Sequence, residues 1–154
     1  SPAVPYALFD RGISHATYEQ QENGKVVFDG IVALAKACLA AGIPVGLGTD
    51  TGCPFITHYD MWRELCYFVK FCDVTPVFAL HSATLLNARL AGIDHLTGSI
   101  EKGKAADLIV CGENPLEDLT ALRKLDMVIK DGWRIDHPAV KKLPQVEREL
   151  DKFL

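Results

Sequence analysis

Ala41-Gly42-Ile43-Pro44-Val45-Gly46-Leu47-Gly48-Thr49-Asp50-Thr51-Gly52 decides how this chain is read. Upstream of it, from Gly24 to Ala41, the apolar positions Val27, Ile31, Leu34, Ala35 and Cys38 recur at helical spacing. Gly42 suits the left-handed residue that ends a helix. Ile43 to Leu47 is short, apolar and without alternation, as a parallel strand covered on both faces is, and Pro44 is tolerable near a strand start. Helix, tight turn and buried strand make one α/β repeat. Asp50 follows directly, and a carboxylate at the carboxyl end of a parallel strand sits where α/β barrels keep their chemistry.

Working outward, residues 1–23 have no clean period and read as a loop. Thr49 to Thr57 reads as a second loop. From Asp60 to Cys72 the positions Met61, Leu65, Phe68, Val69 and Cys72 are again helical, with Asp60 favoured electrostatically at the amino end. Thr75-Pro76 is a helix start, the hydroxyl capping free amides and the proline fitting the first turn. That helix reaches about Thr84 and then either continues or restarts near Asn87, before Gly92 closes it. Beyond Gly92 the pattern changes to turns and short β-prone runs: Leu108 to Val110, then Met127 to Lys130, Asp131-Gly132 and Trp133 to Ile135. Asp-Gly between two such runs signals a hairpin. Pro144 to Leu154 repeats Leu143, Val146, Leu150 and Phe153 at helical spacing, an amphipathic helix that docks on a body or a neighbouring chain.

The chain has 154 residues, enough for a real core but short of the roughly 250 that a full (β/α)₈ barrel needs. A net charge of −4 gives no electrostatic reason to expect nucleic acid or a membrane surface as partner, and no apolar stretch is long enough to span a bilayer. The 5 cysteines are odd in number and form no C-x-x-C pair, which favours reduced thiols in a cytoplasmic protein. The first residue is not Met, and no signal pattern follows, so the chain reads as beginning at a processing or cloning boundary.

Asp50 is the leading chemical candidate: it can ligate a metal and accept a proton from bound water. The competing reading is a loop or helix cap, and Gly-Thr-Asp by itself does not separate the two. His58 is either a group facing the same pocket or a solvent-exposed residue at a helix terminus. Thr51-Gly52 and Pro54-Phe55 make a loop that is flexible and then stiff, able to line a pocket. Cys53 lies near Asp50, but no base stands at recognisable spacing, and a complete small enzyme built on Cys53 and a His ranks last. His81 reads as structural or exposed. Asp107 and the Lys102/Lys104 pair read as a solvated turn rather than a phosphate site. No glycine-rich phosphate loop occurs, and no full metal-ligand set is present.

Taken in serial order, several stretches resemble the carboxyl-terminal portion of a metal-dependent amidohydrolase of the imidazolonepropionase-like and prolidase-like branch. Ala41 to Gly52 resembles the last barrel strand and its metal-site Asp. Thr75-Pro76 through Thr84, Asn87-Ala88 and Leu90-Ala91-Gly92 resemble the helices after the barrel. Gly98 to Val110, Asn114-Pro115-Leu116 and Val128 to Gly132 resemble the return into a small β-sandwich. The likeness covers roughly residues 25–135, and the tail departs from the usual ending.

The resemblance implies an α/β fold class: the last βα part of a (β/α)₈ barrel in 1–94, the C-terminal strands of a small composite β-sandwich in 95–136, and a tail with an amphipathic helix in 137–154. It implies hydrolysis of an amide or other C–N bond in a small-molecule substrate by metal-activated water. Asp50 would be metal ligand and catalytic proton carrier, and Thr51, Gly52 and His58 would be substrate-binding. The family's other ligands come from earlier strands, so a divalent metal, zinc foremost, belongs to the full-length enzyme. This fragment alone is expected to bind none and to be inactive, with a missing N-terminal barrel half or self-association as its partner. The alternative is a non-catalytic, self-associating module.

Overall fold

A computed structural model describes residues 4–52 and 54–154. Cys53, and with it the nucleophile reading of that residue, lies outside the described residues. After a 3₁₀ turn at Tyr6–Leu8 and the short α1 (Arg11–Ser14), the long helix α2 spans Tyr18–Ala40. The loop expected over residues 1–23 is thereby corrected. The Thr17 hydroxyl accepts from the Gln20 amide at 3.2 Å while the Gln20 side chain accepts from the Thr17 amide at 2.8 Å, a capping box that starts the helix at Tyr18. The first turn carries no apolar stripe because Tyr18, Glu19 and Gln20 all face solvent. Gly24 is buried because α2 passes against the 3₁₀ turn: a Cβ there would lie 3.1 Å from that of Ala7.

Gly42 closes α2 as expected, at φ 69°. Its amide reaches the Leu39 carbonyl at 3.0 Å and the Ile43 amide reaches Cys38 at 2.9 Å, the paired bonds of a Schellman motif. The run Ile43 to Gly48 is extended, as expected, and has no strand neighbour among the described residues. A parallel strand exists only through its ladders, and here the Asn87 side chain stands in for one. Asn87 Oδ1 accepts from the Leu47 amide at 2.9 Å, and Nδ2 donates to the Leu47 carbonyl at 2.7 Å. Gly46 makes this approach possible, since a Cβ there would lie 2.5 Å from Asn87 Oδ1.

Helix α3 (Met61–Cys72) runs through the core and contributes to both of its clusters. Leu65, Phe68 and Cys72 pack with Leu47, Ala79 and Leu119. Thr75 caps α4 (Pro76–His81), its hydroxyl accepting from the Phe78 amide at 3.2 Å. The open question of continuation is resolved by a widened π turn, Ser82–Leu86, that carries the helix without a break into α5 (Asn87–Leu90) and brings Asn87 round to Leu47.

Three antiparallel strands follow, β1 (Leu108–Cys111), β2 (Leu125–Lys130) and β3 (Trp133–Asp136), in the order β1-β2-β3. Asp131 and Gly132 take the positive φ values, 50° and 81°, that the hairpin turn requires. Asp107 holds that hairpin: its Oδ1 accepts from the Asp131 amide at 2.9 Å and from Lys130 Nζ at 3.0 Å. Helix α6 (Pro144–Asp151) docks on the body of this chain, where Val146 and Leu150 pack with Tyr67, Phe9 and Val4. No helix among the described residues is long and apolar enough to cross a membrane.

Candidate functional site

Asp50 ends the extended run in the left-handed region, φ 56°, which Asp visits more readily than most residues. Its carboxylate is exposed and makes no hydrogen bond or ion pair among the described residues. It lines a cavity of about 900 Å³ whose walls are otherwise mostly apolar, among them Ile31, Leu34 and Cys38 of α2, Leu47, Ile56 and Phe68. The flanking Thr49 and Thr51 hydroxyls lie 2.5 Å apart and share a hydrogen bond. Gly52, at φ 124°, occupies backbone space that a side chain would strain.

The other expected site residues are placed differently. Thr51 and Gly52 are exposed beside Asp50 but do not line the cavity. His58 is exposed, stacks edge-on against Tyr59 with ring centroids 5.5 Å apart, and is absent from the cavity wall. His81 is half-buried in α4, away from Asp50's cavity.

A catalytic metal takes about three protein donors and a water. Among the described residues no group of three or more His, Cys, Asp or Glu side chains is placed to hold a metal ion. Asp50 is a single donor, so the described residues do not by themselves fit a metal, and they support no step through one.

The loop from Thr49 to Asp60 ends in a buried charge network that sequence reading missed. Asp60 is only 5% exposed; it accepts a short hydrogen bond from the Thr57 hydroxyl and one from Trp62 Nε1 at 3.2 Å. Arg63, 1% exposed, lies 3.4 Å from Asp60 through Nε. Its other nitrogens donate to Glu147 at 2.9 Å and Asp151 at 2.5 Å on α6. Arg123 adds bonds of 3.2 Å and 3.0 Å to the same two carboxylates. Burial opposes the charge on Arg63, but the surrounding carboxylates outweigh it and raise its pKa. Burial likewise pushes Asp151 upward, and the hydrogen bonds from Arg63 and Arg123 bring it net below the usual carboxylate range. A signal existed in the sequence: Glu147 and Asp151 are like charges one helical turn apart, a pairing that destabilises a helix unless a cation faces it.

Known proteins share this architecture. A proposed prolidase from Bifidobacterium longum is 40% identical, superposes with a TM-score of 0.92, and is matched over 99% of this chain and 38% of its own. A Xaa-Pro dipeptidase with bound methionine is 32% identical with a TM-score of 0.72, over 85% of this chain and 32% of its own. The imidazolonepropionase of Geobacillus kaustophilus is 33% identical over 76 residues, 49% of this chain and 18% of that protein. The chain therefore spans about a third of these solved structures and under a fifth of the curated relative. The Amidohydrolase family matches residues 19–134, well over half of the sequence, and the chain belongs to that family.

Proposed function

We propose that this chain is the carboxyl-terminal portion of a hydrolase that splits an amide or other C–N bond in a small-molecule substrate, and that Asp50 is its catalytic carboxylate. The observation that carries the reading is the placement of Asp50: a carboxylate without a hydrogen-bond or ion-pair partner among the described residues, at the end of an extended apolar run, on the wall of a cavity of about 900 Å³. A carboxylate so placed can take a proton from an attacking water and return it to the leaving nitrogen. Asp50 would also be one ligand of a divalent metal, zinc foremost, with the remaining donors supplied by the portions of the longer relatives that this chain does not span. The extended run 43–48 would then be the last strand of a (β/α)₈ barrel, and β1 to β3 part of a small sandwich. Thr51, Gly52 and His58 stay with this reading as substrate-side residues. The two prolidase-type structures make Xaa-Pro dipeptides the first substrates to try.

The test compares metal content and hydrolysis of dipeptide and cyclic-amide substrates for the 154 residues alone and for the longest natural polypeptide that contains them. The expected result is turnover and bound metal in the longer protein, lost in Asp50→Asn, and neither in the 154 residues alone. Stoichiometric, tightly held zinc with turnover by the 154 residues would overturn it.

A second reading, a non-catalytic module that self-associates, is favoured by one observation. Val26, Val27, Leu34 and Ile43 are all more than half exposed along α2 and the run after it, a patch that drives association. Sedimentation at dilute concentration decides it: a monomer that binds no apolar dye counts against this reading.

A further inference from the structure

We propose that helix α6 is a positioning element for the loop that carries Asp50, holding it through Arg63 and Asp60. Two routes connect them. The polar route runs from Glu147 and Asp151 on α6, through Arg63, to Asp60, and from the Asp60 carboxylate to Thr57 inside the loop. The apolar route runs beneath the loop. Leu150 of α6 and Thr49, Phe55 and Ile56 of the loop line one small cavity of about 20 Å³. The Phe55 ring packs against Phe9 at 5.7 Å, and Phe9 packs against Phe153, just beyond α6, at 6.4 Å. Thr49 is the residue next to Asp50, so this second route ends at the site.

The backbone explains why the loop needs holding. Asp50 and Phe55 both have positive φ, 56° and 65°. For an aromatic residue that region is a true outlier, and such conformations persist only where the surroundings over-determine them. Those surroundings are α6, Phe9 and the Asp60–Arg63 pair. Without α6 the loop loses the Leu150 wall and the two carboxylates that orient Arg63, and it is free to relax. The proposal deepens the reading of Asp50 given above, but its readout is loop geometry rather than turnover. A tail that leaves the loop unmoved and an Asp50 that proves dispensable are therefore separate outcomes.

The test uses the ¹⁵N-labelled 154-residue chain and the variants Asp151→Asn and Asp151→Glu. Asp151 is the more exposed of the two α6 carboxylates that hold Arg63, so its loss perturbs the network less than loss of the buried Glu147. In Asp151→Asn the amide resonances of Thr49 to Thr51 are expected to move, and the amides of Asp60 and Arg63, bonded to the Thr57 and Asp60 carbonyls, to exchange about tenfold faster or more. Amides of β1 to β3 are expected to stay unchanged, and Asp151→Glu to restore the loop.

A pH titration of the unaltered chain supplies a second measurement that needs no variant to fold. The ionisable groups that meet at this junction are Asp60 at the end of the loop, Arg63 and Glu64 of α3, Glu147, Glu149 and Asp151 of α6, Arg123, Lys152, and Asp10 through its amide. The loop resonances are expected to shift as pH falls through the lowered ranges in which Glu149 and Asp151 take up protons, before the sheet resonances do. Loop resonances that stay fixed in Asp151→Asn, or loop and sheet amides that accelerate or titrate together, would overturn the proposal.

Discussion

Asn87→Ala tests whether one side chain holds the Asp50 segment in place. The native amide makes two hydrogen bonds to the Leu47 backbone, at 2.9 Å and 2.7 Å. Each is worth about 1 kcal/mol net. Leu47 is only 7% exposed, so unpaired backbone groups there add a desolvation cost of about 1–3 kcal/mol. Alanine returns up to about 0.7 kcal/mol of helix propensity. The expected loss is about 2–4 kcal/mol, read as a lower urea midpoint at unchanged slope, together with faster exchange of the Leu47 amide. Gly46 supplies a control through coupling. Gly46→Ala alone drives a Cβ into Asn87 Oδ1 at 2.5 Å and Leu90 Cδ1 at 2.9 Å, so the double variant should lose less than the sum of the two single ones. A loss under about 0.5 kcal/mol in Asn87→Ala with unchanged Leu47 exchange would refute the reasoning.

Phe68 is fully buried between Leu65, Ala79 and Leu119; Phe68→Ala is expected to cost about 3–5 kcal/mol in the same urea assay. Burial pushes the Cys66 thiol up to about 11, so at pH 8 its alkylation by iodoacetamide should run on the order of a hundredfold slower than that of an ordinary free thiol, followed by mass spectrometry. Asp151 and Glu149 both have lowered pKa values, their hydrogen bonds outweighing burial. Their contribution is fully present above the usual carboxylate range and lost as pH falls through the lowered folded values. Stability measured by urea unfolding should therefore fall between pH 5 and pH 3, and by less in Asp151→Asn.

The sequence was most legible where a local rule sufficed. Gly42, Thr75-Pro76 and Asp131-Gly132 each act within a few residues, and each does in the structure what its chemistry dictates. The start of α2 was missed because its signal is a cap rather than a stripe, the Thr17/Gln20 pair on a solvent-facing turn. The run 43–48 was legible as an extended apolar segment but not in its pairing, because a strand is defined by its neighbours, and its own composition cannot supply them. At the site, the sequence pointed to Asp50 but not to the anchor of its loop. Arg63 meets Glu147 and Asp151 across 84 and 88 residues, a separation at which no local pattern operates.

The edge of the run 43–48 separates the two functional readings by a direct measurement. Asn87 occupies the side of the segment on which the Leu47 amide and carbonyl point. Neighbouring residues of an extended chain point to the opposite side, and the amides of Gly46 and Gly48 make no hydrogen bond among the described residues. A barrel reading gives those amides a strand partner in the longer polypeptide, so they should be protected there at every concentration and exchange at nearly open-chain rates in the 154 residues. A self-association reading protects them in the 154 residues themselves, increasingly as concentration rises. Exchange that stays fast in both polypeptides would refute the barrel placement, because a barrel strand cannot leave its ladder groups unpaired in a buried sheet.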